Sequence, residues 1–253
     1  MEKKQKLPTP RSNWGFFLDV DGTLLEIAPT PSDVAVGEKV LVVLDALYRA
    51  AGGAVALVSG RPLDQLDQLF APLRLPAAGL HGLEVRTARG DILRPPVPPR
   101  NLELMREALV AFAAEHSGVL FEDKEYALAL HYRLAPEFEN ACRTCVEDAV
   151  ERWGDGYQIL YGKKVFEIKP SQADKGKVID VLMATIPFTD RCPVYIGDDI
   201  TDEDGFAAVN RLGGQSIRVG ASPTTCARYT VPDVSGLLDW LADVATRMRL
   251  PVQ

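Results

Sequence analysis

Histidine and cysteine are scarce in this chain, three and four respectively in 253 residues. Four cysteines are too few for a disulfide framework. Cys142 and Cys145 form a CxxC, but on a helical pattern with no second pair and no histidine beside them, which favours structural cysteines over a zinc site. Long apolar runs are missing too: none approaches the roughly 20 residues that cross a bilayer, and MEKKQKLPTPR lacks the apolar core of a secretory signal. A cytoplasmic protein without a membrane partner is expected. Basic charge is also in deficit. A formal net charge of -7 argues against nucleic acid as the partner, because binding a phosphate backbone needs a basic face. It leaves room for a small anionic substrate handled through a local cation.

What is present is ordinary in bulk and specific in detail. Apolar residues make up 47% and charged residues 25%, as in a soluble globular protein. The length suits one large domain or a domain carrying an insertion. WGFFLDV and GAVALVSG read as buried strands, separated by the helical spacing of GEKVLVVLDALYRAAG and followed by a helix over PLDQLDQLF. The pattern returns late, with a helix over ADKGKVIDVLMATI, a strand at PVYIGDD, a helix at TDEDGFAAVN, a strand at QSIRVG and a last amphipathic helix. Apolar strands alternating with helices imply a parallel sheet covered on both faces, so the two ends form one doubly wound, Rossmann-like α/β core.

Between them the pattern changes. After RPPVPPR, a hinge or linker, come a helix over about 101–116, a hairpin at VLFEDKEYALALHYR, a second helix over about 136–153 and a second hairpin at YQILYGKKVFEIKP. The expected division is a core of residues 1–100 and 169–253 with an inserted α+β cap at 101–168. Period two puts Leu128, Leu130 and Tyr132 on one face with Phe166 and Ile168. It puts His131, Arg133, Glu167 and Lys169 on the other. That polar face could meet water or close over a polyhydroxylated ligand.

Four segments carry chemistry. FFLDVDGTLLE ends a buried strand with Asp19 and Asp21, then frees the amides of Gly22 and Thr23. Ionised carboxylates are expensive to bury unpaired, so acids there either reach water or hold a cation. Ser59 ends VALVSGRP, Lys175 opens a helix in SQADKG, and GDDITDE supplies Asp198, Asp199 and Asp202. Each has a plain alternative as a cap, a solvated side chain or a first-turn acid. Together they gain force, because the carboxyl ends of parallel strands converge on one crevice. Two acidic strand ends meeting there repel unless a cation lies between them, and an oxygen-rich, histidine-poor set favours magnesium over zinc.

DVDGTL, SGR, the lysine of DKG and GDDITDE resemble, in order and context, the four motifs of the haloacid dehalogenase superfamily of phosphotransferases. Within it, GLHGLEVR, FEDKEYALALHYR, GKKVFEIKP and GDDITDEDGF are similar to segments of the trehalose-6-phosphate phosphatase family, and the insertion resembles that family's C2B-type cap. The resemblance implies a magnesium-dependent hydrolysis of trehalose 6-phosphate. Asp19 would be the nucleophile that becomes an aspartyl phosphate, and Asp21 the general acid and then base.

The same resemblance implies that Asp19, the Asp21 carbonyl and Asp198 hold the ion, with Asp199 or Asp202 in support. Ser59 and Lys175 would bind phosphoryl oxygens, with Lys169 as the alternative lysine, and Gly22, Arg61 and His81 would lie on the substrate side. His81 could equally be a structural turn residue. Glu122, Lys124, Arg133, Lys163 and Glu167 align with positions that contact sugar hydroxyls. Glu125 departs from the expected glycine at the first hairpin tip. The rival readings are a phosphatase of the same fold acting on another sugar phosphate, such as sucrose 6-phosphate, and a receiver-like domain phosphorylated on Asp19. A trehalose-phosphate synthase is a possible functional partner.

Overall fold

Trp14–Leu18 (β1) is buried at every position, as an apolar strand flanked by two others and roofed on both faces must be. The computed structural model describes residues 6–27, 34–94, 99–124, 126–171 and 174–249. Glu38–Ala50 (α1) buries Val40, Val43, Leu44 and Leu47, the stripe expected of a helix lying on a sheet. Val55–Val58 (β2), Leu63–Leu69 (α2) and Ala77–Gly79 (β3) follow, then Glu84–Arg86 (β4) and Ile92–Leu93 (β5). The inserted segment runs through Pro99–Glu115 (α3), Leu120–Asp123 (β6), Leu128–His131 (β7), Glu139–Trp153 (α4), Tyr157–Gly162 (β8) and Val165–Pro170 (β9). Lys175–Met183 (α5), Cys192–Gly197 (β10), Asp202–Arg211 (α6), Gln215–Val219 (β11), Tyr229–Val231 (β12) and Val234–Arg249 (α7) complete the chain.

One sheet has the order β12-β11-β10-β1-β2-β3-β4-β5. From β12 to β3 every pairing is parallel, as expected. β4 and β5 extend it antiparallel, which the alternating pattern did not reveal. Only Leu80–Leu83 separates β3 from β4, too short a link for the crossover that a parallel strand needs. Side chains of β1 alternate between two packed layers: Trp14 meets Trp240 of α7 at 6.3 Å, while Phe17 stacks on Phe188 at 5.0 Å. Truncating a fully buried aromatic such as Phe17 to alanine costs about 3–5 kcal/mol. From β1 the chain winds one way through β2 and β3; β10, β11 and β12 lie on its other side. The carboxyl ends of β1 and β10 therefore flank a topological switch point, where a crevice opens.

The second sheet is antiparallel, in the order β6-β7-β9-β8. Its apolar face, with Leu128, Leu130, Phe166 and Ile168, shares a core with Leu102, Met105 and Leu109 of α3 and Cys142, Val146 and Ala149 of α4. Cys142 is thus core material. Burial pushes the Cys142 and Cys145 thiols up to about 11, so neither offers a ready thiolate to a metal.

Two compact units result, residues 1–93 with 174–253, and residues 94–173. The expected cap boundaries, 100/101 and 168/169, fall a few residues inside these divisions. Most of the proline cluster, 95–98, lies outside the described residues, as does the departure at Glu125. No described helix is long and apolar enough to cross a membrane.

Candidate active site

Asp19 is the first residue beyond β1, and its amide donates to the Ile196 carbonyl at 2.9 Å, so the β1–β10 ladder fixes its backbone. From β10 the chain passes through Asp198 and Asp199 into α6. The crevice thereby receives both acidic segments, as their positions after strands implied. One carboxylate oxygen each from Asp19, Asp198 and Asp202 lies within 4.8 Å of the others, and all three residues are buried.

Lys175 is drawn into this group by its helix start. Asp174 caps α5 by accepting from the amides of Gly176 and Lys177, which makes Lys175 the first helical residue and buries it. Its ammonium donates to Asp19 at 2.7 Å and to Asp202 at 2.6 Å. Lys169, the alternative lysine, is on β9 in the other unit.

Asp202 has every acceptor direction in use. Lys175 and the Tyr195 hydroxyl donate to Oδ1, the latter at 2.8 Å, and the amides of Asp198 and Asp199 donate to Oδ2 at 2.9 and 2.8 Å. The carboxylate therefore anchors the acidic segment and its lysine. Burial works against its charge, yet Lys175 and these donors hold it below the usual carboxylate range. Asp19 goes the other way: burial, then the charges of Asp202 and Asp198, push it well above that range despite Lys175. The Lys175 ammonium itself is raised, since the two carboxylates outweigh the cost of burying it.

Gly22 has φ +90°, and a Cβ there would stand 2.4 Å from both carboxylate oxygens of Asp198. Its missing side chain lets the two acidic segments approach. Thr23, fully buried, donates its hydroxyl to Asp198 Oδ1 at 3.3 Å. Asp21 sits at the edge of the group, its side chain 37% exposed, and its carboxylate takes two bonds from Arg61. Arg61 was expected on the substrate side; here it grips the candidate acid. Ser59, at the end of β2, accepts the Arg61 amide on Oγ at 3.1 Å and is otherwise enclosed. His81 is buried in a left-handed turn with φ 55°, its amide bonded to the Ser59 carbonyl and its ring against Gly60, where a Cβ would lie 2.7 Å from Nε2. Asp199 contributes its amide to Asp202 and its carbonyl to Arg218.

In the second unit the polar sheet face forms its own network. Lys124 donates to Glu167 at 2.7 Å and stands 3.9 Å from Glu122, which pairs with His131 Nε2 at 2.8 Å. Ala129 lies between the two acids in register, giving the face a small floor. Glu167 and Lys169 are buried in this face, 4% and 5% exposed. Burial raises the Glu122 carboxyl, but the hydrogen bond with His131 and the charge of Lys124 bring it below its ordinary value. Arg133 and Lys163 meet at the other end of the face, where Arg133 donates to the Lys163 carbonyl at 3.1 Å.

Two participants escaped the sequence reading as members of a site: Tyr195 and Arg218. Tyr195 and Arg218 sit in apolar strands, where only tertiary proximity marks them. Strand register could have pointed to Arg218, because it lies directly opposite Gly197.

The trehalose-phosphatase family model matches residues 17–235. A probable trehalose-phosphate phosphatase of Sinorhizobium fredii is 44% identical over 240 residues, covering 94% of this chain and 90% of that protein. The trehalose-6-phosphate phosphatase of Escherichia coli is 38% identical over 251 residues, covering 98% and 92%. The C-terminal domain of the Candida albicans trehalose-6-phosphate phosphatase superposes with a TM-score of 0.84 at 21% identity over 93% of each chain, a likeness of fold. The acidic crevice, the lysine that bridges it and these matches over nearly the whole length make one case: the chain belongs to the trehalose-phosphatase family and is a phosphatase.

Proposed function

We propose that this phosphatase hydrolyses trehalose 6-phosphate to trehalose and inorganic phosphate, with magnesium and through an aspartyl-phosphate intermediate. The observation that carries the mechanism is the bridge of Lys175 between Asp19 and Asp202 beside Asp198. The substrate assignment rests on the relatives named above.

The donor set suits a hard divalent cation: it is all oxygen, and Asp19 is held in a buried position that disfavours its charge. Asp19, the Asp21 carbonyl and Asp198 would hold the ion, while Asp202, engaged by four donors, and Asp199 hold the segment in place. When bound, the ion supplies positive charge between a carboxylate and a phosphate that otherwise repel.

In the proposed first step an Asp19 carboxylate oxygen bonds to phosphorus, the bond from phosphorus to the sugar oxygen breaks, and Asp21 gives its proton to that oxygen. In the second, Asp21 takes a proton from water, the water oxygen bonds to phosphorus, and the bond to Asp19 breaks to free phosphate. Lys175 and Ser59 would bind the phosphoryl oxygens. Glu122, Lys124 and Glu167 would read the sugar, since paired charged groups reject a ligand that leaves them without partners. Arg133, Lys163 and His81 are assigned to the substrate's surroundings on the same reading. The inserted unit would act as a cap over residues 1–93 and 174–253. The enzyme would work in the cytoplasm and draw substrate from a trehalose-phosphate synthase.

Phosphate release from trehalose 6-phosphate, sucrose 6-phosphate and glucose 6-phosphate, with magnesium and with EDTA, tests the proposal. Preference for trehalose 6-phosphate that is lost in EDTA supports it. Preference for another sugar overturns the substrate, and full activity in EDTA overturns the metal.

A further inference from the structure

Asp198 and Asp199 are held from both sides of their backbone. Their amides donate to Asp202 Oδ2, and their carbonyls accept from one guanidinium, that of Arg218. Nη2 of Arg218 bonds the Asp198 carbonyl, and Nη1 reaches the Asp199 carbonyl at 3.4 Å. Nη1 also donates to Glu203 Oε1 at 3.0 Å. Glu203 in turn accepts the Cys226 amide on Oε2 at 2.8 Å, so the guanidinium is braced against α6 and the 221–228 segment. β11 presents Arg218 there because the strand runs parallel to β10 with Arg218 opposite Gly197, where the acidic segment begins. The Arg218 side chain is 9% exposed.

An arginine is expensive to bury and is seldom placed under backbone carbonyls without consequence. Its planar fork spans two successive carbonyls, which a lysine ammonium on a flexible stem does not reproduce. The carboxylate of Asp198 leaves the same backbone that this fork fixes, and a cation site tolerates little displacement of its ligands.

We propose that Arg218 is a positioning residue for divalent-cation binding, setting the Asp198–Asp199 backbone so that the Asp198 carboxylate meets the ion. The inference rests on the reading of Asp198 as a metal ligand, and it concerns affinity for the ion rather than contact with substrate.

The test is Mn2+ binding to the whole protein, free of substrate, followed by electron paramagnetic resonance, with circular dichroism and thermal melting on the same samples. Arg218→Met is expected to weaken Mn2+ binding by about 10–100-fold, the range seen when an outer-shell partner is removed. Arg218→Lys is expected to recover part of that loss. A folded Arg218→Met protein with wild-type Mn2+ affinity and only a lower melting temperature overturns the proposal, since that is the pattern of a purely structural residue. Should Arg218→Met fail to fold, Arg218→Lys and Glu203→Gln decide: weakened Mn2+ binding in both supports the proposal, and wild-type affinity in either overturns it. Asp198→Asn separates the two layers. If it binds Mn2+ as the wild type does, the ligand assignment falls and the inference with it; if binding is lost there but intact in the Arg218 variants, only the inference falls.

Discussion

Arg61 holds the Asp21 carboxylate through two nearly parallel bonds, Nε to Oδ2 and Nη2 to Oδ1, each 2.7 Å. Such a bidentate pair fixes orientation as well as distance. The group proposed to pass a proton is thus steered by a cation two positions beyond Ser59. Arg61→Ala should lower kcat by about 10–100-fold, the scale of misplacing a general acid, with a smaller change in KM. Arg61→Lys should recover little, because one ammonium cannot form the fork. Steady-state kinetics on the phosphorylated sugar decide: a rise in KM alone would return Arg61 to the substrate-binding role that the sequence reading gave it.

Asp19→Asn should abolish turnover, by about 10³-fold or more, since an amide cannot become the aspartyl phosphate. Stability should move the other way. The folded-state pKa of Asp19 is raised, so protonated Asp19 favours the fold at low pH and that contribution is lost as pH rises through the folded pKa. At neutral pH in chelator the wild type bears the cost of that raised pKa, which asparagine removes. The melting temperature in EDTA should therefore rise by a few degrees. A lower melting temperature together with retained activity would sink both the mechanism and the electrostatic account.

Gly22→Ala tests the approach of the two acidic segments. A methyl group would stand 2.4 Å from the Asp198 carboxylate, on a backbone with φ +90° that alanine adopts poorly. The expected result is a folded protein with stability reduced by about 1–2 kcal/mol and Mn2+ binding weakened more than tenfold. Titration with Mn2+ and a urea melt are sufficient; unchanged metal affinity would show that the segments need not be this close.

Glu122 makes a prediction about acid. Its folded-state pKa is depressed, so its contribution to stability is present above the ordinary value of 4.5 and is lost as pH falls through the lower folded value. Glu122→Gln should flatten the fall in stability below about pH 4.5 relative to wild type. Denaturant midpoints between pH 3 and 6 measure it. Parallel curves for the two proteins would mean that the His131 and Lys124 contacts do not persist in solution.

Glu167→Ala leaves the Lys124 ammonium without its nearest carboxylate. On the proposed division of labour, kcat/KM for trehalose 6-phosphate should drop by about 10²-fold or more, while hydrolysis of a small aryl phosphate changes by less than about threefold. Equal losses on both substrates would argue against a sugar-reading role.

The parallel core was legible in the sequence because its strands are apolar throughout, a pattern that only a sheet covered on both faces needs. Lys175 was legible for a local reason: Asp174 and the helix after it fix where that helix begins. The antiparallel β4 and β5 were not, being short strands whose pairing depends on a turn and a free sheet edge rather than on periodicity. Arg61 illustrates a further limit, since its place in SGR carried no sign of whether it would turn to a ligand or to Asp21.

By itself the sequence determined which residue types stand at which strand ends, and so the kind of chemistry open to the chain. Carboxylates and a serine placed after apolar strands meet at the carboxyl edge of a parallel sheet, where a lysine at a helix start joins them. Tertiary structure alone decided how those groups divide the work: Asp202 became a saturated anchor and Asp19 a carboxylate strained by burial, while Tyr195 and Arg218 were recruited from strands that read as plain core. The physical reason is distance. Hydrogen bonding and charge interaction act over a few ångströms, and residues 27 or 156 positions apart, as Lys175 is from Asp202 and from Asp19, come within that range only when the whole sheet has formed.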